Sequence, residues 1–121
     1  MEIEKQVCSF ELAKRLKELG AKQESLFYWL SDATTKDELR VIAGDDFRAK
    51  SPACVCAFTV AEFGEMLRVA HCAFRSGNIW DKHQWECSYG VSKTTLATTE
   101  ADARAAMLIY LFENKLIAAA A

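Results

Sequence analysis

The chain is short of the residues that punctuate structure: 121 residues hold one proline and five glycines, and no Gly-, Ser- or Pro-rich run is long enough to link two domains. With no internal period either, it is expected to fold as one domain over residues 1–121. It also lacks an excess of either charge. Fifteen Lys plus Arg stand against seventeen Asp plus Glu, a net charge of -2. No global positive field therefore exists to hold a phosphate backbone or an anionic membrane, and a nucleic-acid role would need a local basic patch. No apolar run reaches the length of a membrane span. The opening "MEIEKQVCSF" carries acidic residues where an export signal carries basic ones, and it has no continuous apolar core. The expected setting is the cytoplasm.

Chemical signatures are missing as well. The chain has no phosphate loop, dinucleotide fingerprint, Gly-x-Ser-x-Gly elbow, His-Glu-x-x-His pair or calcium loop. Five cysteines, Cys8, Cys54, Cys56, Cys72 and Cys87, make an odd count that cannot pair completely within the chain, and they read as reduced thiols. Cys54 and Cys56, with His71, Cys72, His83 and Cys87, supply enough soft ligands for zinc on paper. Structural zinc sites use knuckle spacings of two to four residues, and only the one-residue gap of Cys54-x-Cys56 is present, so no metal or other cofactor is expected. His71 and Cys72 are adjacent, but neighbours on a strand point to opposite faces and cannot cooperate as base and nucleophile. No catalytic residue is assigned.

What is present is a pattern of amphipathic elements. Ser9 can cap a helix with Leu12, Ala13, Leu16 and Leu19 on one side, and Gly20 can end it. The run "LFYWL", residues 26–30, reads as a strand with Leu26, Tyr28 and Leu30 on one face and Phe27 and Trp29 on the other. Both faces are apolar, so this strand should be internal, covered by helices on both sides. A second strand, Glu38 to Ala43, follows the turn-prone "SDATTKD". Cys54 to Phe58 is either a short extended piece or loop, because Pro52 disfavours a central strand there.

"TVAE", residues 59–62, is a Thr-x-x-Glu capping box that opens a helix bearing Val60, Phe63 and Leu67. Two strands around a Gly77-Asn78 turn come next; in the second, His83, Trp85, Cys87 and Tyr89 alternate with Lys82, Gln84, Glu86 and Ser88, one dry face and one wet. "VSKTTLAT" reads as a loop. Thr99 then caps a last helix, to about Asn114, whose apolar residues surround most of its circumference. Such a helix is contacted from several directions, as a central packing element or in a subunit contact. The expected architecture is an α+β sandwich in the order αββαββα: an antiparallel or mixed four-stranded sheet with about three helices.

Three stretches, "VCSFELAKRLKELGAKQESLFYWL", "AFTVAEFGEMLR" and "TTEADARAAMLIYLFENKLI", resemble a group of small uncharacterised proteins of bacterial genomes and prophages. The first and last helices also resemble, more loosely, those of phage "ABA sandwich" domains. The resemblance implies a fold and a phage setting, without an activity to carry over. Together with the surplus apolar surface of the first strand and last helix, it leads to an expected non-enzymatic accessory protein that acts through protein contacts and forms a homodimer. The alternative is a nucleic-acid-binding accessory factor that uses Lys14, Arg15 and Lys17 with exposed aromatics.

Overall fold

The computed structural model describes residues 3–31, 39–46, 49, 54–70, 72–79 and 82–117. The first helix, α1, is Phe10–Glu18, followed by strands β1 (Phe27–Ser31), β2 (Leu39–Ala43) and β3 (Cys54–Cys56). Helix α2 (Val60–Leu67) leads to β4 (Ala73–Ile79), β5 (Lys82–Tyr89) and β6 (Lys93–Ala97), and α3 (Glu100–Glu113) closes the order. The strands form two antiparallel sheets, β2-β1-β3 and β4-β5-β6. The α+β character and the sequence of helices match expectation, but the strands number six in two sheets, where four in one sheet were expected.

Two strands account for the difference. The ambiguous Cys54–Cys56 segment pairs with β1, setting Trp29 opposite Val55. The expected loop "VSKTTLAT" contains β6, which pairs with β5 from Trp85↔Ala97 to Tyr89↔Lys93. Its Ser, Thr and Lys content suggests loop, yet its threonines are β-branched, and Thr95 turns inward while Thr94 and Leu96 stay exposed. The inward hydroxyl donates 2.7 Å to the carbonyl of Ala103 on α3, which fixes the sheet against that helix.

A further correction concerns the β4–β5 hairpin. Its ladder continues through Gly77↔Gln84 and Asn78↔His83 to Ile79↔Lys82, so Gly77 and Asn78 are strand residues and not the turn. A reversal at Gly77-Asn78 would set Trp85 and Cys87 opposite Ala70 and Arg68, which belong to the single 3-10 turn leaving α2. The dry face of β5 would then lose its partner strand.

β1 is the middle strand of its sheet, as its apolar residues require. Trp29 is 8% exposed, stands edge-on to Phe10 with centroids 6.5 Å apart, and donates its indole N–H to the Cys8 carbonyl at 2.8 Å. Tyr28 and Leu30 pack on the second face against a small cluster of Ile42, Ala49 and Cys54. Among the described residues none of α1, α2 or α3 contributes to that cluster, where Ala49 is a 3-10 residue, so the expected cover by helices on both sides is seen on the Trp29 face only. The main core runs through both sheets and all three helices, with Phe58 and Phe63 stacked edge-on at 5.5 Å.

α3 meets α1, α2, β5 and β6, which explains why its apolar residues are not confined to one stripe: Ala101, Ala103, Ala105, Met107, Leu108, Ile109 and Leu111 are all buried. Helix ends follow local chemistry. After α1, Gly20 takes φ 92°, its N–H reaches the Lys17 carbonyl, and the Ala21 N–H reaches Leu16, the paired bonds that a left-handed residue permits. α3 ends in the same way, but with Lys115 at φ 56°. Lys115→Gly should therefore raise stability by about 0.5–1 kcal/mol, read as a higher urea midpoint with an unchanged slope.

Candidate functional site

The starts of α2 and α3 face one concavity. Thr59 caps α2 by accepting the Glu62 N–H at 3.2 Å, and Glu62 returns the bond by accepting the Thr59 N–H at 3.0 Å, the box expected from "TVAE". The same carboxylate accepts from the Ser25 hydroxyl at 3.0 Å and the Leu26 N–H at 3.3 Å, tying the approach to β1 onto α2. Thr99 caps α3 through the Asp102 N–H at 3.2 Å. Asp102 in turn accepts the Ser9 N–H at 2.7 Å, and so orients the start of α1 where Ser9 makes no side-chain cap of its own.

Between these starts lies a cleft of about 840 Å³, lined by Lys5, Gln6, Thr59, Val60, Ala61, Trp85, Thr98, Thr99, Glu100 and Arg104. Its volume falls in the range of small-molecule sites, and its lining combines an indole with a few polar groups. A smaller hollow of about 390 Å³ shares Lys5 and Thr99 and is walled by Phe10, Trp29 and Asp102.

Arg104 is the most constrained cation of the cleft. Its Nη2 lies 2.7 Å from Glu100, its Nη1 donates to the Val60 carbonyl at 3.2 Å, and its guanidinium sits 3.8 Å above the Phe74 ring. Gly64 makes room for it: a Cβ there would lie 2.9 Å from Nη1. With 13% of the side chain exposed, this pair is less screened than a surface bridge. The Nε is shut off from solvent and has no hydrogen-bond partner. A buried strong donor without an acceptor costs about 1–3 kcal/mol and marks a place where structure is not optimised for stability.

The three basic residues singled out from the sequence do not converge. Lys14 is exposed, Arg15 pairs with Glu18 at 3.3 Å and with Glu113 at 3.4 Å, and the Lys17 ammonium donates to the Cys54 carbonyl at 3.3 Å. Of the cysteines, Cys8, Cys54, Cys56 and Cys87 are buried and Cys72 is half-buried. Burial pushes Cys8, Cys56 and Cys87 up to about 12, and it raises Cys72 as well. After burial, the neighbouring Cys72 adds to the upward shift of Cys87. Among the described residues no three His, Cys, Asp or Glu side chains gather closely enough to hold a metal ion; His71 lies outside those residues. No helix among them is long and apolar enough to cross a membrane.

Sequence reasoning passed over Arg104 and Gly64. A signal existed for each: one arginine inside an alanine-rich helix that is apolar nearly all round, and a glycine within a two-turn helix, where it weakens the element unless something must approach closely. No known protein family matches the chain, and no curated protein or solved structure is similar to it.

Proposed function

We propose that the chain is a non-enzymatic accessory protein of phage or prophage type, working in the cytoplasm through protein contacts and pairing with a second copy of itself. The observation that carries this reading is apolar surface at one end of the molecule. Val91 is fully exposed in the turn between β5 and β6, and Leu116 is 46% exposed just beyond α3. Thr95 bonds to Ala103 and Lys93 lies over the Tyr110 ring, so β6 runs against α3 and brings that turn toward the end that carries Leu116. Large apolar groups gathered on a small domain favour association. Support for binding over chemistry comes from the polar groups around the cleft, which cap helices or pair with each other, and from thiols that burial makes poor nucleophiles.

Light scattering at tens of micromolar protein is expected to return twice the 13.5 kDa chain mass. The double variant Val91→Asp, Leu116→Asp should return the single mass with an unchanged circular dichroism spectrum. A wild-type mass of one chain would remove self-association from the reading. Nucleic-acid binding through Lys14, Arg15 and Lys17 is the alternative, with less support because Arg15 and Lys17 are engaged within the chain. Retention of DNA on a filter at low salt, where even weak phosphate contacts persist, would put it first.

A further inference from the structure

We propose that Cys72 and Cys87 are a reversible dithiol–disulfide pair, closed by exchange with a small disulfide that enters at Cys72. This goes beyond self-association and uses none of the surface invoked for it. Topology brings the two residues together. Ala73 pairs with Ser88 and Phe74 with Cys87 at the start of the hairpin. Cys72, one residue before β4, therefore stands diagonally across from Cys87, and both sit in or against the main core. A disulfide needs Cα atoms within about 7 Å, and a diagonal pair is near that limit at about 7–8 Å. The ladder begins at Ala73 and does not hold Cys72, so the backbone there can close the remaining distance.

Accessibility sets the order of events. Cys87 is fully buried and Cys72 half-buried, so a reagent from solvent meets Cys72 first. Cys8 and Cys56, which also lie near each other, are both fully buried and offer no entry. Arg104 favours the second step. Its guanidinium lies 3.8 Å above the ring of Phe74, the cross-strand partner of Cys87, and its charge favours the Cys87 thiolate against the effect of burial.

The Cys72 thiolate attacks one sulfur of the small disulfide; a bond forms between those two sulfurs, the original S–S bond breaks and one small thiolate leaves. The Cys87 thiolate then attacks the Cys72 sulfur and expels the second small thiolate. The chain gives up two protons and two electrons, and the electrons leave on the released thiolates. Burial keeps the exchange slow, and excess small thiol runs it backwards.

The test mixes the folded chain with one equivalent of Ellman's reagent, itself a small disulfide. Two thionitrobenzoate ions per reagent molecule should appear over hours, with none left on the protein. The intact mass should fall by that of two hydrogen atoms, and a non-reducing peptide map should join Cys72 to Cys87. Dithiothreitol should restore the original mass. Cys72→Ser, at a half-buried position that tolerates a hydroxyl, should slow release at least about ten-fold. Cys87→Ala should release one ion and keep the other as a stable adduct on Cys72. The inference is overturned if the wild-type chain keeps a thionitrobenzoate adduct or releases nothing within hours, if the map joins other cysteines or two chains, or if either folded variant behaves like the wild type.

Discussion

Trp29→Ala should lower the stability of the folded chain by about 3–5 kcal/mol, the largest effect expected of any single substitution in this fold. Two losses combine. The indole is 8% exposed in the middle strand of its sheet, so truncation leaves a cavity facing Phe10, and such cavities refill only in part. The substitution also removes the N–H that reaches the Cys8 carbonyl at 2.8 Å. Trp29→Phe separates the two, because it keeps a ring and strands the carbonyl; about 1–3 kcal/mol is then expected. Leu26→Ala, one residue before the strand and 65% exposed, should change stability by less than about 0.5 kcal/mol. Urea unfolding followed by far-ultraviolet circular dichroism measures all three. Equal midpoints for Trp29→Ala and Leu26→Ala would mean that the ring is not a core element, and with it the account of "LFYWL" as a middle strand would fall.

The second large effect is chemical. With Cys8, Cys56 and Cys87 pushed from 9.0 to about 12, their thiolate fraction near pH 8 falls on the order of a thousand-fold, since each unit above ambient pH costs a factor of ten. Ellman's reagent should therefore modify these three slowly in the native protein, with Cys72 the first to react because it is only half-buried. All five should react rapidly once guanidinium unfolds the chain. Prompt modification of several thiols in the folded state, or a thiol that reacts fast near neutral pH, would overturn the assignment and reopen a cysteine chemistry.

The same shifts set a direction for stability against pH. A thiol whose folded-state value is raised holds its proton more tightly when folded, so its contribution is complete below about 9 and is lost as pH climbs toward about 12. In that window the unfolded chain binds fewer protons than the folded one, and the slope of unfolding free energy with pH is negative. Thermal midpoints should consequently fall between pH 9 and pH 12. A flat profile across that range would contradict the burial of these three groups.

Much of the local structure was legible because it is written in short-range chemistry. "TVAE" specified its helix start through a reciprocal bond that needs only residues three apart. Gly20 marked a helix end because a residue without a Cβ takes φ 92° without strain. The alternation along β5 was readable because Trp85, Cys87 and Tyr89, two residues apart, all join the main core. Even the role of α3 was visible, since a helix apolar on most sides must be covered on most sides.

β6 was not legible, because Lys93, Thr94 and Thr95 have the composition of a loop and become a strand only through pairing with β5. The Gly77-Asn78 signal pointed to a turn, but the ladder that matches Phe74 to Cys87 passes straight through it. The candidate cleft was the least legible feature. Its wall is assembled from a single turn near the start, two helix caps, one strand and one arginine, brought together from residues 5 to 104.

By itself, then, the order of residues determined where helices begin and end, which strand must lie inside, and that the last helix would be surrounded. Those are consequences of side-chain size, branching and backbone hydrogen bonding over a few residues. Only the tertiary structure decided that the strands divide into two sheets and that Arg104 lies between Glu100, Val60 and Phe74. Strand partners and cleft walls depend on contacts between residues far apart in the chain, whose energies no local pattern records.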